Sequence, residues 1–137
     1  MQKESVCDMI KQWIWTLYKR RASQNGISVK ISAKASGSLA VPPQDLVVVI
    51  ANLFENAINE VANLKNKGGY IDIQIKDSPE RLLIKIDNPC SANLTFDENL
   101  YGIGMRSVIS TTSKYEGMYD FTSEDGVFSA KIILNLR

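Results

Sequence analysis

The chain has 137 residues, 45% of them hydrophobic and 23% charged, the balance of one globular domain with a core of its own. Sixteen basic residues against 15 acidic leave a net charge of +1, without the basic excess of a dedicated nucleic-acid binder. There is no histidine, which excludes Ser-His-Asp chemistry, Cys-His chemistry and histidine-ligated metals, and Cys7 and Cys90 form no CxxC pair. The longest apolar run, Leu46–Ala51, falls far short of the roughly 20 residues of a membrane helix, and Met1–Ser5 lacks a secretory signal. A reducing, cytoplasmic setting without direct membrane contact is expected.

From about Lys3 to Ser23, Val6, Ile10, Trp13, Ile14 and Leu17 recur at helical steps of three and four. Trp13 and Trp15 read as packing residues of this helix, and Lys19-Arg20-Arg21 as a solvated cationic end facing the negative pole of the dipole. After Gly26, Ile27–Ile31 alternates like a half-buried strand. A polar linker leads to Pro42-Pro43, which opens a second helix running to about Leu64 and stopped at Gly68-Gly69. Tyr70–Ile75 and Leu82–Ile86 alternate on either side of Asp77-Ser78-Pro79-Glu80, the pattern of a hairpin. From Asn88 to Leu100 no period survives, and the stretch reads as a loop. A third helix starts at Gly102-Ile103-Gly104 and ends before Gly117. Met118–Thr122 and Val127–Leu136 then make a second hairpin around Asp125-Gly126. The sum is an α+β chain folded as a two-layer α/β sandwich: one mixed, mostly antiparallel sheet with helices on one face.

The second helix carries an anomaly. Leu46, Ile50, Leu53, Ala57, Val61 and Leu64 make an ordinary core face, but Asn52, Asn56, Asn59 and Asn63 form another stripe. Asparagine costs a helix roughly 0.5 kcal/mol relative to alanine, so four in register call for a reason. A carboxamide oxygen is a hard, neutral ligand that suits magnesium beside a triphosphate. The second feature is Tyr101-Gly102-Ile103-Gly104-Met105-Arg106-Ser107-Val108, where glycines let backbone N–H groups approach an anion at a helix N-terminus. It has neither the third glycine of a Rossmann fingerprint nor the Gly-Lys-Ser/Thr of a Walker A loop.

Asn52-Leu53-Phe54-Glu55-Asn56-Ala57-Ile58-Asn59-Glu60 resembles the N box, and Gly102–Val108 the second glycine box, of one superfamily. It is that of the ATP-binding domains of gyrase, heat-shock chaperones, histidine kinases and MutL, abbreviated GHKL, whose fold is the Bergerat ATPase sandwich. The chain looks most like sensor histidine kinases of the citrate/fumarate-sensing and peptide quorum-sensing types. The likeness runs from about Val6 to Leu136, with strands, loop, glycines, helix and hairpin in the family's order.

The resemblance implies roles. Asn56 falls where the family binds magnesium, and Asn52 where hydrolysing relatives carry a glutamate that activates water. An amide cannot be a general base, so Asn52 favours phosphoryl transfer over hydrolysis. Asn59, one turn on, reaches toward the phosphates or a metal-bound water. Gly102, Ile103, Gly104, Met105 and Arg106 make the phosphate-binding stretch, with the glycines as lid hinges; Arg106 and Lys114 are candidate phosphate contacts. The middle box departs from the family: Asp87-Asn88-Pro89-Cys90-Ser91 has no glycine. Strand alternation puts Asn88 on the core face with Ile84 and Ile86, so Asn88 is expected against the adenine amino group, with Asp87 the alternative. Glu55 is the acid placed to orient a histidine of another domain. Phe96 and Tyr101 are lid aromatics, and Cys90 has no base to activate it.

The implied protein is the catalytic domain of a sensor histidine kinase of a two-component system, using ATP and Mg2+. Its partners would be the parent's phosphoacceptor histidine domain and a downstream response regulator. Residues 1–24 are expected to be the tail of a dimerisation and phosphoacceptor region, and 25–137 the catalytic domain, monomeric alone and homodimeric in a membrane-anchored parent. The alternatives are a degenerate nucleotide-binding or docking module without turnover, and an anti-sigma-type serine kinase.

Overall fold

The structure, a computed structural model, describes residues 6–34, 41–62, 64, 69–90 and 102–136. The first helix, α1, spans Val6–Gln24, and is followed by strand β1, Ser28–Lys34. Helix α2 occupies Pro43–Ala62, and β2 (Tyr70–Asp77) and β3 (Arg81–Pro89) come next. Helix α3 (Ile103–Lys114) precedes the terminal hairpin of β4 (Met118–Glu124) and β5 (Val127–Asn135).

The strands form one sheet in the order β1-β2-β3-β5-β4. β1 runs parallel to β2, joined through α2, and every other pairing is antiparallel. Period-two alternation decides which face is covered. Ile71, Ile73 and Ile75 of β2, Leu82, Ile84 and Ile86 of β3 and Phe128, Ala130, Ile132 and Leu134 of β5 are all buried. Their neighbours, among them Asp72, Gln74 and Lys85, are half-exposed on the other face. The β4–β5 turn has Asp125 and Gly126 both at positive φ, 53° and 75°, the two-residue geometry that an Asp-Gly pair favours.

Two expectations change in contact with the packing. Asn88 and Pro89 belong to β3, not to a loop, because β5 offers Phe128 and Val127 as pairing partners. Proline is tolerated there because it sits at the strand's last position. The buried face of α2 is also wider than one stripe. Val49, Phe54 and Ile58 are buried as well, while Leu64 is only half-buried. The helix lies on the sheet with α3 along one flank and α1 against another, so three sides are covered. Residues singled out from sequence at Asn63, Phe96 and Tyr101 lie outside the described residues, as do the side chains of Val6, Ile10 and Leu17.

Candidate nucleotide site

α3 lies antiparallel along α2, and two contacts fix the pairing. At one end Asp45, in the first turn of α2, accepts hydrogen bonds from the Tyr115 hydroxyl and, at 3.0 Å, from Lys114 Nζ at the end of α3. At the other end Gly104, in the first turn of α3, faces Asn52: a Cβ on Gly104 would stand 2.8 Å from Asn52 Oδ1. Asn52 Nδ2 donates to the Val48 carbonyl one turn back at 2.7 Å, which fixes the carboxamide and turns its oxygen toward α3. The asparagine stripe and the glycine stretch therefore meet. Half-buried Asn56 follows Asn52 one turn further along α2.

That terminus suits an anion. Gly102 is the N-cap in extended conformation, with no side-chain cap, and no acidic residue sits in the first turn. Among the described residues no side chain caps the first amides of α3, and the helix dipole adds positive potential. Ile103 is 86% exposed at this mouth, while Met105 is buried beneath it. Arg106 is exposed along an outer groove of about 370 Å3 shared with Val48, Ser110 and Thr111. Gly102 and Gly104 differ in what they do. Gly104 is needed for close approach, whereas a Cβ on Gly102 meets nothing within 4 Å and its φ of −71° is open to any residue.

At the far end of β3, Asn88 is 2% exposed on the core face, as alternation predicted. Its Nδ2 donates to the Pro89 carbonyl at 2.9 Å, which leaves the carboxamide oxygen as the acceptor end of a fixed group. Asp87 points to the opposite, helix-free face, 3.5 Å from Lys85, with Oδ1 buried and unpartnered among the described residues. Cys90 is buried, with Sγ 3.4 Å from the Ser123 hydroxyl.

Glu55 and Asn59 are engaged elsewhere. Arg21 Nη1 lies 2.5 Å from both carboxylate oxygens of Glu55, and Nη2 donates to Asn59 Oδ1 at 3.3 Å. Arg21 is thus a half-buried bridge from α1 to α2, not part of a solvated end, and the charge run gave no sign of it because the partner lies 34 residues away. Asp45 and Tyr115 were missed for the same reason. Hydrogen bonds from Tyr115 and then Lys114 hold the Asp45 carboxyl below the ordinary carboxylate range. Burial first, and Asp45 second, push the Tyr115 phenol up to about 12.

Among the described residues no three His, Cys, Asp or Glu side chains cluster to hold a metal. A magnesium ion bound here would find in a carboxamide oxygen such as that of Asn56 a hard, neutral donor, and would supply charge neutralisation. Neutral carboxamides on α2 and an α3 N-terminus with no acidic residue in its first turn are chemically compatible with a metal–triphosphate.

One mixed sheet, helices on a single face, and an asparagine-bearing helix meeting a glycine-started helix define a Bergerat-type ATP-binding sandwich. The pattern of the GHKL domain family matches residues 41–135, and the chain belongs to that family. A probable C4-dicarboxylate sensor kinase of Bacillus subtilis (strain 168) is 33% identical over 104 residues, 73% of this chain. The chain spans 19% of that relative's length. Among solved structures, the Acinetobacter baumannii histidine kinase AdeS superposes with a TM-score of 0.78 at 13% identity, over 95% of this chain and 64% of that one. The nucleotide-free catalytic domain of histidine kinase ThkA gives a TM-score of 0.76 at 13% identity and covers 99% of both chains. At such identities these superpositions establish the fold.

Proposed function

We propose that this chain is the ATP-binding catalytic domain of a sensor histidine kinase, positioning Mg–ATP for phosphoryl transfer to a histidine on a separate domain. The observation that carries the reading is the close approach of Asn52 Oδ1 to Gly104, which sets the asparagine-bearing helix beside the glycine-started one. Asn56 would hold the metal, the first-turn amides of α3 would take phosphate oxygens, and Asn88 would accept a hydrogen bond from the adenine amino group. Magnesium supplies charge neutralisation between the phosphates. Asn52 cannot take a proton from water, so the site favours a dedicated acceptor over hydrolysis. The acceptor must come from elsewhere, since the chain has no histidine. No helix among the described residues is long and apolar enough to cross a membrane. In this reading the domain works in the cytoplasm as part of a larger dimeric sensor and serves a response regulator downstream. Residues 1–24 form the tail of the dimerisation region.

Thermal unfolding with and without Mg–ATP tests the site. Nucleotide at about 100 times its dissociation constant adds roughly 2.7 kcal/mol, a shift of several degrees at this size. The shift is expected in the wild type and lost in Asn56→Ala. No shift in the wild type at millimolar Mg–ATP refutes the reading, and equal shifts in both proteins remove Asn56 from the metal. Transfer of labelled phosphate to a supplied histidine domain, and not to a serine protein, separates the kinase classes.

A further inference from the structure

The sheet ends on β1 at one side and on β4 at the other. The Ser28 N–H donates to the Gly69 carbonyl at 3.0 Å, which turns the backbone groups of Ser28, Lys30, Ser32 and Lys34 toward β2. The N–H and C=O groups of Val29, Ile31 and Ala33 therefore point outward, and among the described residues no strand pairs with them. Such a row is a template for another strand. What flanks it decides which strand fits. On the helix face, α1 and β1 leave a groove of about 470 Å3 lined by Asp8, Lys11, Gln12, Trp15, Val29 and Ile31, with Trp15 50% exposed. On the opposite face β1 carries Lys30 and Lys34, both exposed, and no acid. Lys34 stands directly across from Lys76 on β2, and like charges so placed weaken a sheet unless an anion joins them. Both α1 and β1 precede residues 41–135, so this surface is not part of the matched ATP-binding pattern.

We propose that the free edge of β1, with the groove beside it, docks an extended segment of a partner protein whose side chains alternate between apolar and acidic. The inference goes beyond the kinase reading and does not depend on it. A strand laid along Val29, Ile31 and Ala33 turns every second side chain toward the groove and Trp15, and the others to the face that carries the lysines. The first set must be apolar. Acids in the second set, spaced as Lys30 and Lys34 are, meet both ammonium groups. Main-chain hydrogen bonds hold the segment, and the side-chain pattern selects it. The lysines also disfavour a second copy's β1, because antiparallel pairing about Ser32 would set Lys30 against Lys34 twice.

The test uses the full chain and a synthetic peptide, acetylated and amidated, of sequence Thr-Val-Glu-Val-Thr-Val-Glu-Val-Thr. Titration calorimetry gives the affinity, and amide hydrogen exchange followed by NMR gives the place. One-to-one binding is expected, with slowed exchange at Val29, Ile31 and Ala33. Lys30→Glu/Lys34→Glu should weaken binding about tenfold, the sum of two reversed cross-strand charge pairs. A peptide with lysine in place of both glutamates should recover that loss in the double variant. Trp15→Ala should weaken binding several-fold with both charges intact. All the substituted side chains are exposed, and an unchanged melting temperature without peptide checks that the fold is kept. Absence of binding at millimolar peptide overturns the proposal, as does protection that spares β1 or equal affinity for the glutamate and lysine peptides. Concentration-dependent association of the chain alone that protects the same three amides overturns it too, because a second copy, through the Asp120 and Glu124 edge of β4, is then the occupant.

Discussion

A Cβ placed on Gly104 would stand 2.8 Å from an amide oxygen that its own helix holds in place, while one placed on Gly102 would meet open space. Alanine should therefore separate two glycines that look alike in sequence. Gly104→Ala forces Asn52 or the first turn of α3 to move, and overpacking of this kind costs about 1–3 kcal/mol. It should also abolish the Mg–ATP melting shift. Gly102→Ala loses only a modest N-cap preference, about 1 kcal/mol at most, and should keep the shift. Chemical denaturation of both variants, with and without nucleotide, checks the contrast. Equal behaviour would show that the approach of α3 to Asn52 is not what holds the site together.

α2 and α3 are joined at their other ends by Asp45, Tyr115 and Lys114, and this clamp has a pH signature. The Asp45 carboxyl titrates below its ordinary value, so its stabilising effect is present above the unfolded value of about 4 and is lost as pH falls through the depressed one. The Tyr115 phenol is raised to about 12, so its contribution holds below about 10 and fades between about 10 and 12. Tyr115→Phe should cost about 1.5 kcal/mol at pH 7, the range of a hydrogen bond to a charged group. The gap to wild type should narrow as pH drops below about 4, which denaturant titrations across pH 2–7 would reveal. A gap independent of pH would mean that Tyr115 acts through packing alone.

Across the molecule, α1 shares the core of the rest: Ile14 is 0% exposed and joins the same apolar cluster as the buried residues of α2 and the sheet. Ile14→Ala should destabilise the protein by about 2–5 kcal/mol, the cost of a cavity among fixed neighbours. Unfolding should stay one cooperative transition by far-UV circular dichroism and by tryptophan emission. If Trp13 and Trp15 instead report a separate, earlier transition, α1 is an independent appendage. Cooperative loss would show α1 to be an integral part of the domain's core.

Local chemistry was enough to read the elements, their order and the covered face of the sheet, while the pairing of the stretches that hold Asn52 and Gly104 came from their resemblance to two boxes of one family. Periodicity, proline and glycine are properties of neighbouring residues, and the strand alternation that buries Asn88 is one of them. The reach of β3 through Pro89 was not legible, because it depends on which residues of β5 stand opposite. Nor were the partners of Asp45, Glu55 and Asn59, each supplied by an element more than 30 residues away in the chain. A charge seen in sequence has a sign but no address. Packing α1 and α3 against α2 provided the addresses, and only that arrangement decided that Arg21 binds Glu55 and that Gly104, not Gly102, must lack a side chain.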